Sequence, residues 1–192
     1  DLNKLNNYSE KSDYLRYIIL LEKGWIYIDT DMECFRSIEN QIQDIDFFIC
    51  KDTDWVLNTA IIGSAPKHQL LNNLVNSFHS RITDTEKWSQ YSSNERIGPA
   101  YVENFIRKNK YFDKIKIFPA EYFYPIHWKY FSWGKMHIKK YDFSKSYWMH
   151  HYEASWISPL FKLRKKILNL PWMWKVYYFI KPFLNAIRGK SF

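Results

Sequence analysis

Residues 12–35 read Ser12-Asp-Tyr-Leu-Arg-Tyr-Ile-Ile-Leu-Leu-Glu-Lys-Gly-Trp-Ile-Tyr-Ile-Asp-Thr-Asp-Met-Glu-Cys-Phe35. Tyr14, Ile18 and Leu21 recur at helical spacing, and Tyr17 and Leu20 lie on adjoining rows, so a helix is expected over 9–23. Ser9 is the expected N-cap, with Ser12 in the place where a capping box would carry Glu. Gly24 is placed to end the helix, as a C-terminal glycine does. Trp25 to Ile28 then reads as a short buried strand, and Asp29-Thr30-Asp31 stands where it ends. Working outward, strands are expected at Asp46 to Cys50, Val56 to Ile62, Ile115 to Phe118 and Ser146 to His150. Helices are expected at Lys67 to Arg81 and Pro99 to Asn109. Helices alternating with short apolar strands argue for an α/β sheet.

Composition narrows the function classes. A chain of 192 residues with 46% hydrophobic and 25% charged residues has the balance of one globular domain. The aromatic share of 20% suits cores, carbohydrate stacking and membrane interfaces alike. Cys34 and Cys50 show neither metal-ligand spacing nor a disulfide framework, so a reducing compartment is expected. The net charge of +8 is uneven: residues 159–192 hold eight basic and no acidic side chains, and residues 1–158 hold 20 of each sign. The body therefore gives no reason to expect a nucleic acid or other polyanion. No run of 18 apolar residues exists, so no transmembrane helix is expected. The chain opens at Asp1, with neither Met nor a signal peptide, and reads as a fragment or a processed chain.

Three clusters carry chemistry. Asp29 and Asp31, one residue apart at a strand end, can point into one cleft. A divalent cation relieves their repulsion and bridges to a diphosphate, because hard cations choose carboxylate and phosphate oxygens. An Asp-x-Asp on its own also occurs in ordinary solvated loops. Asp13 and Arg16, beside Ser12, form an i, i+3 pair. The favoured reading is a surface ion pair worth about 0.2–0.5 kcal/mol; the alternative puts both on the cleft side against a polar ligand. In His150-His151-Tyr-Glu-Ala-Ser155-Trp156, an imidazole at a strand end can complete a metal site begun by carboxylates. The alternative there is a structural histidine pair with a core tryptophan.

Together these stretches resemble the glycosyltransferases with a sugar-binding DXD motif, a family 32-like group of capsule and lipopolysaccharide sugar transferases and α-1,6-mannosyltransferases. The glucosyltransferase domains of large clostridial toxins are similar in residues 12–35. Four further segments match in family order. LNTAIIGSAPKHQLL (57–71) resembles the Asn-led strand and helix, and GPAYVENF (98–105) the Gly-Pro helix start. IFPAEYFYPI (117–126) resembles the aromatic Pro segment, and HHYEASW (150–156) the closing His-His element. The resemblance implies a GT-A type, Rossmann-like fold for nucleotide-diphospho-sugar transfer. It also implies a nucleotide-diphosphate sugar donor, Mn2+ or Mg2+, and retention at the anomeric carbon. It implies Asp29 and Asp31 as the catalytic and metal pair, with Asp31 preferred as the direct ligand. It puts Asp13 and Arg16, with Ser12, Tyr27 and Asn58, at the donor. It puts His150 or His151 at the metal, His150 preferred, and Ser155 with Trp156 around the diphosphate. The chain departs from the family in carrying Gly24-Trp25 where Gly-Gly is usual. Family members usually begin with a strand and helix that carry base and ribose contacts, and the chain is expected to lack that unit.

The expected organisation is a catalytic domain over 1–158 and a basic, aromatic, helical tail over 159–192. Interleaved aromatics and lysines suit a headgroup region, so the tail is expected to dock on an anionic membrane surface. A cytoplasmic enzyme, peripheral on the inner face, would there meet a glycan or lipid-linked acceptor. Two other classes compete. A phosphatase of the haloacid dehalogenase type also uses Asp-x-Asp after a strand, but wants Thr or Val where this chain has Glu33. A non-enzymatic basic binding module is disfavoured by the neutral body.

Overall fold

The structure is a computed structural model; it describes residues 5, 7–53, 56–82, 88–128 and 141–152. Ser155, Trp156, the expected boundary after residue 158 and the tail over 159–192 lie outside the described residues. The chain divides into two compact units, one of residues 1–127 with 141–151, the other of residues 128–140 with 152–192. The first unit is the one described below.

Helix α1 spans Tyr8–Lys23. Its N-cap is Asn7 rather than the expected Ser9: the Asn7 Oδ1 accepts the Glu10 N–H at 2.9 Å. Both residue types cap well, and with Asn7 as cap the first turn begins two residues earlier than a Ser9 cap would start it. Gly24 ends the helix as expected. Its N–H donates to the Leu20 carbonyl at 2.9 Å, and its φ of 70° with ψ of −148° is a conformation glycine alone adopts cheaply. Trp25 follows, also at positive φ (81°), and is 82% exposed. The departure from Gly-Gly thus leaves a bulky residue in a left-handed conformation, which costs about 1–2 kcal/mol.

Strand β1 (Trp25–Ile28) lies at one edge of a four-stranded sheet of order β1-β4-β3-β5. The others are β3 (Phe47–Lys51), β4 (Leu57–Ser64) and β5 (Lys116–Phe118). β4 is antiparallel to both neighbours, and β3 and β5 are parallel. The fold is therefore mixed α/β with a parallel pair in its sheet. A second, two-stranded sheet joins β2 (Met32–Cys34) to β6 (Trp148–His150), with Met32 opposite His150. β2 was not expected, since three residues carry no periodicity. The longer helices α3 (Gln69–Ile82) and α5 (Pro99–Lys108) fall within two residues of expectation. Helices α2 (Glu39–Ile42), α4 (Ser93–Arg96) and α6 (Ala120–Phe123) are single turns.

The main core gathers Tyr17 and Leu20 of α1, Ile49 and Ile62 of the sheet, Leu70, Leu74 and Phe78 of α3, and Val102 and Ile106 of α5. Full burial of such side chains contributes about 1.5–3 kcal/mol each. Tyr14, Ile18 and Leu21, the expected apolar stripe, are only its partly buried shoulder. The rest of the buried face of α1 is charged: Glu10, Asp13 and Arg16. Glu10 is held by Arg96 at 3.0 Å. The other two point to the site.

Candidate metal and donor site

β1 and β3 run the same way, so both end on one side of the sheet. β1 delivers Asp29 there. The Asp29 N–H still donates to the Ala60 carbonyl of β4 at 2.8 Å, and the chain then turns, with Met32 N–H returning to the Asp29 carbonyl at 3.2 Å. That turn carries Asp31 into β2. Pairing of β2 with β6 brings in His150 from 119 residues away, its Nε2 3.1 Å from Asp31 Oδ1. The His151 N–H donates to the Asp31 carbonyl at 2.9 Å and locks the register. The Tyr124 ring meets the His150 imidazole edge-on at 5.8 Å.

The two histidines part company here. His151 Nε2 lies 2.9 Å from the exposed Glu33 carboxylate, whereas His150 belongs to the carboxylate cluster. One donor atom from each of Asp29, Asp31 and His150 lies within 4.8 Å of the others. Donors facing each other across an ion with bonds of about 2.1 Å stand about 4.2 Å apart, so small rotations let all three close on one cation. Two carboxylates with one imidazole suit Mg2+ or Mn2+ and do not select a thiophilic ion. Burial holds the His150 pKa below its usual value, although the Asp31 and Asp29 charges pull the other way. At neutral pH the ring is then uncharged, the form that ligates.

Asp29 is held from behind. Tyr27 OH donates to Asp29 Oδ1 at 2.6 Å, and Arg16 Nη2 donates to the same oxygen at 3.2 Å. Arg16 Nη2 also meets Asp13 at 3.2 Å, and Nη1 donates to the Thr59 carbonyl and hydroxyl at 2.6 and 3.0 Å. The guanidinium stacks 4.4 Å from the Tyr27 ring centre. Asp13 and Arg16 are each 6% exposed, so the expected surface ion pair is a buried one. Burial pushes the Asp13 pKa up to about 7 against the pull of Arg16. For Arg16 burial acts downward, and the Asp13 and Asp29 charges outweigh it, so the net shift is upward. Burial, against Arg16, likewise carries Tyr27 to about 12, which keeps its hydroxyl a donor to Asp29. Ser12 Oγ lies 3.4 Å from Tyr27 OH and closes this network.

Thr59 and Asp52 were missed in sequence. Thr59 is available because β4 is irregular: Ile49 pairs with Ile62, but the next residue, Cys50, pairs with Asn58. The residues of β4 in between bulge from the β3 ladder, and the freed Thr59 carbonyl turns to Arg16. Bulges of this kind often sit beside active sites. Asn58, expected at the donor, donates through Nδ2 to Asp52 Oδ2 at 3.3 Å and accepts the Ala60 N–H at 2.9 Å. No sequence signal marked Thr59. Asp52 carried one, as an acid just past an apolar strand, but only the strand direction ties it to this end of the sheet.

A buried cationic fork holds one of a pair of strand-end carboxylates, and an imidazole closes on the other, so the cluster could hold a cation. Residues 2–51 match the family described as a glycosyltransferase sugar-binding region containing a DXD motif. The chain is also similar to an uncharacterized glycosyltransferase of Acanthamoeba polyphaga mimivirus, 25% identical over 126 residues. That stretch covers 64% of this chain and 49% of the relative, so the chain spans about half the relative's length. No solved structure matches the chain. Both matches support glycosyl transfer in general.

Proposed function

We propose that this chain is the catalytic part of a metal-dependent glycosyltransferase of GT-A type. It moves a sugar, with retention, from a nucleotide-diphosphate donor to a glycan or lipid-linked acceptor in surface polysaccharide synthesis of the capsule or lipopolysaccharide kind. The observation that carries this reading is the convergence of Asp29, Asp31 and His150 in a chain that matches a DXD sugar-binding region over residues 2–51. Asp29, Asp31 and His150 would hold Mn2+ or Mg2+, which when bound supplies positive charge against the nucleoside-diphosphate leaving group. Arg16 and Tyr27 hold Asp29 in one orientation, so Arg16 acts through Asp29 and Asp13 rather than by reaching the sugar alone. Asp13, Ser12 and Asn58 orient donor hydroxyls, which lowers the barrier by fixing geometry before reaction. Ser155 and Trp156 remain assigned to the diphosphate end of the donor by resemblance.

The tail over 159–192 is proposed to dock on the anionic inner face of a membrane, where a lipid-linked acceptor would be met. Among the described residues no helix is long and apolar enough to cross a bilayer. The phosphatase alternative is disfavoured by Asp29: its Oδ1 accepts from both Tyr27 and Arg16, the setting of a held carboxylate rather than an attacking one. The test is a panel of UDP- and GDP-sugars with Mn2+ or Mg2+, followed by mass spectrometry, on the parent and on Asp31→Asn. Donor hydrolysis or transfer by the parent, lost in a variant of unchanged circular dichroism, is expected. Near-normal turnover by Asp31→Asn sinks the metal assignment. Cleavage of plain phosphoesters with no effect on sugar nucleotides sinks the transferase.

A further inference from the structure

Asp52 follows the last residue of β3 directly, on the side of the sheet where Asp29 follows β1, and it is buried, 9% exposed. Burying a carboxylate is costly unless it is bonded, so its partners show what it is there to hold. One partner is the Asn58 amide: Nδ2 donates to Asp52 Oδ2 at 3.3 Å, while Asn58 Oδ1 accepts the Ala60 N–H at 2.9 Å. The two contacts fix which end of the amide is oxygen, because a carboxylate and an N–H cannot exchange places. An amide pinned at both ends keeps one Nδ2–H to offer, in one direction. The chain of contacts does not stop there. The Ala60 carbonyl accepts the Asp29 N–H at 2.8 Å, so Asp52, Asn58, Ala60 and Asp29 link the ends of β3, β4 and β1 across the bulge.

We infer that Asp52 is a positioning residue of the donor site: it orients the Asn58 amide so that its remaining N–H meets an oxygen of the bound sugar nucleotide. This rests on the glycosyltransferase reading. Asp52 does not itself touch the reacting atoms. The Ala60 N–H holds the oxygen end of the Asn58 amide, and the Asp52 carboxylate fixes the direction in which the remaining N–H points. Loss of that carboxylate frees the amide to rotate about its bond to the Ala60 N–H.

The experiment is a double-mutant cycle of Asp52→Ala and Asn58→Ala, with Asp52→Asn as the conservative variant, using whichever UDP- or GDP-sugar the parent turns over. Supporting contacts of this kind are worth about 10–100-fold when removed. Either alanine variant is expected to raise the donor KM about 10-fold with a smaller change in kcat, and the double variant no more than either alone. Asp52→Asn, whose amide oxygen still accepts from Asn58, is expected to recover most of the KM. Binding of UDP or GDP with Mn2+ separates the two sources of the oxygen. If it weakens in Asp52→Ala, Asn58 meets the diphosphate; if it holds while sugar-nucleotide binding weakens, Asn58 meets the sugar. The Asn58 side-chain amide is also followed by nuclear magnetic resonance in parent and Asp52→Ala. A distinct pair of resonances that collapses toward the solvent-exposed position is expected. Multiplying effects in the cycle, no recovery by Asp52→Asn, or an Asn58 amide unmoved by Asp52→Ala would each overturn the inference. A parent inert on every sugar nucleotide would instead remove the glycosyltransferase reading, and the amide resonances would still decide whether Asp52 orients Asn58.

Discussion

Arg16→Met isolates the group on which the held side of the site depends. The wild-type guanidinium is buried and bonds Asp13, Asp29 and both oxygens of Thr59. Methionine fills much of the volume of the stem but leaves Asp13 buried without its counter-charge, and Asp29 without one of its donors. Breaking a buried pair from one side costs about 3–5 kcal/mol, because the remaining charge is stranded. The Thr59 carbonyl, freed from the sheet by the bulge, also loses its donor, which adds about 1 kcal/mol or more. The loss should depend on pH. Asp13 titrates near 7 in the parent, and without Arg16 it gains a proton more readily. At pH 8 a loss of about 2–4 kcal/mol is expected, because the variant's Asp13 protonates rather than stands charged and linkage caps the added cost at about 1.4 kcal/mol per pH unit above 7. At pH 5 a protonated Asp13 strands no charge, and the loss should shrink to about 1–3 kcal/mol. Urea unfolding followed by circular dichroism, at both pH values with EDTA present, measures the difference. With a slope of about 1–3 kcal/mol per M, the midpoint at pH 8 should fall by roughly 2 M. Arg16→Lys should recover only part of it, since an ammonium cannot fork between carboxylate and carbonyl. A loss below about 1 kcal/mol at pH 8 would refute the claim that this is a desolvated pair rather than an ordinary surface one.

Four further outcomes are expected. His150→Ala should weaken Mn2+ binding, read by electron paramagnetic resonance, by about 10–100-fold, while His151→Ala should change it little because its imidazole lies against Glu33; equal effects would remove His150 from its special place. Asp13 holds its proton more tightly folded than unfolded, so its contribution to stability is present below pH 3.8 and is lost as pH rises through about 7. In Asp13→Asn, apo stability should therefore fall less between pH 5 and 8 than in the parent, and an unchanged slope counts against the shift. Gly24→Ala should cost about 2–5 kcal/mol in denaturant unfolding, because an added Cβ would stand 2.7 Å from Pro66 Cδ and 2.9 Å from the Ser64 carbonyl; a neutral effect would mean the turn tolerates a side chain. Removing residues 159–192 should abolish low-salt flotation on anionic liposomes, and equal flotation of both forms would make the tail packing rather than anchor.

How much of this was legible in the sequence follows from which physics was local. The helix from Tyr8, its glycine stop and the strand ending at Asp29 follow from periodicity and backbone conformation, both of which are written within a turn or two of chain. The charged pair inside that helix is instructive. Taken alone, charged residues at i, i+3 ordinarily face water, and only the resemblance puts Asp13 with Arg16 at the donor. They are buried because Thr59 supplies acceptors from a strand 43 residues on, and it supplies them only because β4 slips its register by a bulge that no residue type announces. The histidines show the same limit from the other side. An imidazole at a strand end was legible as a ligand, and the resemblance named two. Successive residues along a strand point to opposite faces, so at most one of the pair turns toward Asp31. Which one depends on Met32 standing opposite His150. Register across strands that lie more than a hundred residues apart in the chain is set by the packing of both strands and not by either alone. Candidate ligands can thus be read from residue type and position along the chain, whereas the groups that hold them, Thr59 behind Arg16 and Asp52 behind Asn58, become visible only when strand direction and register are known.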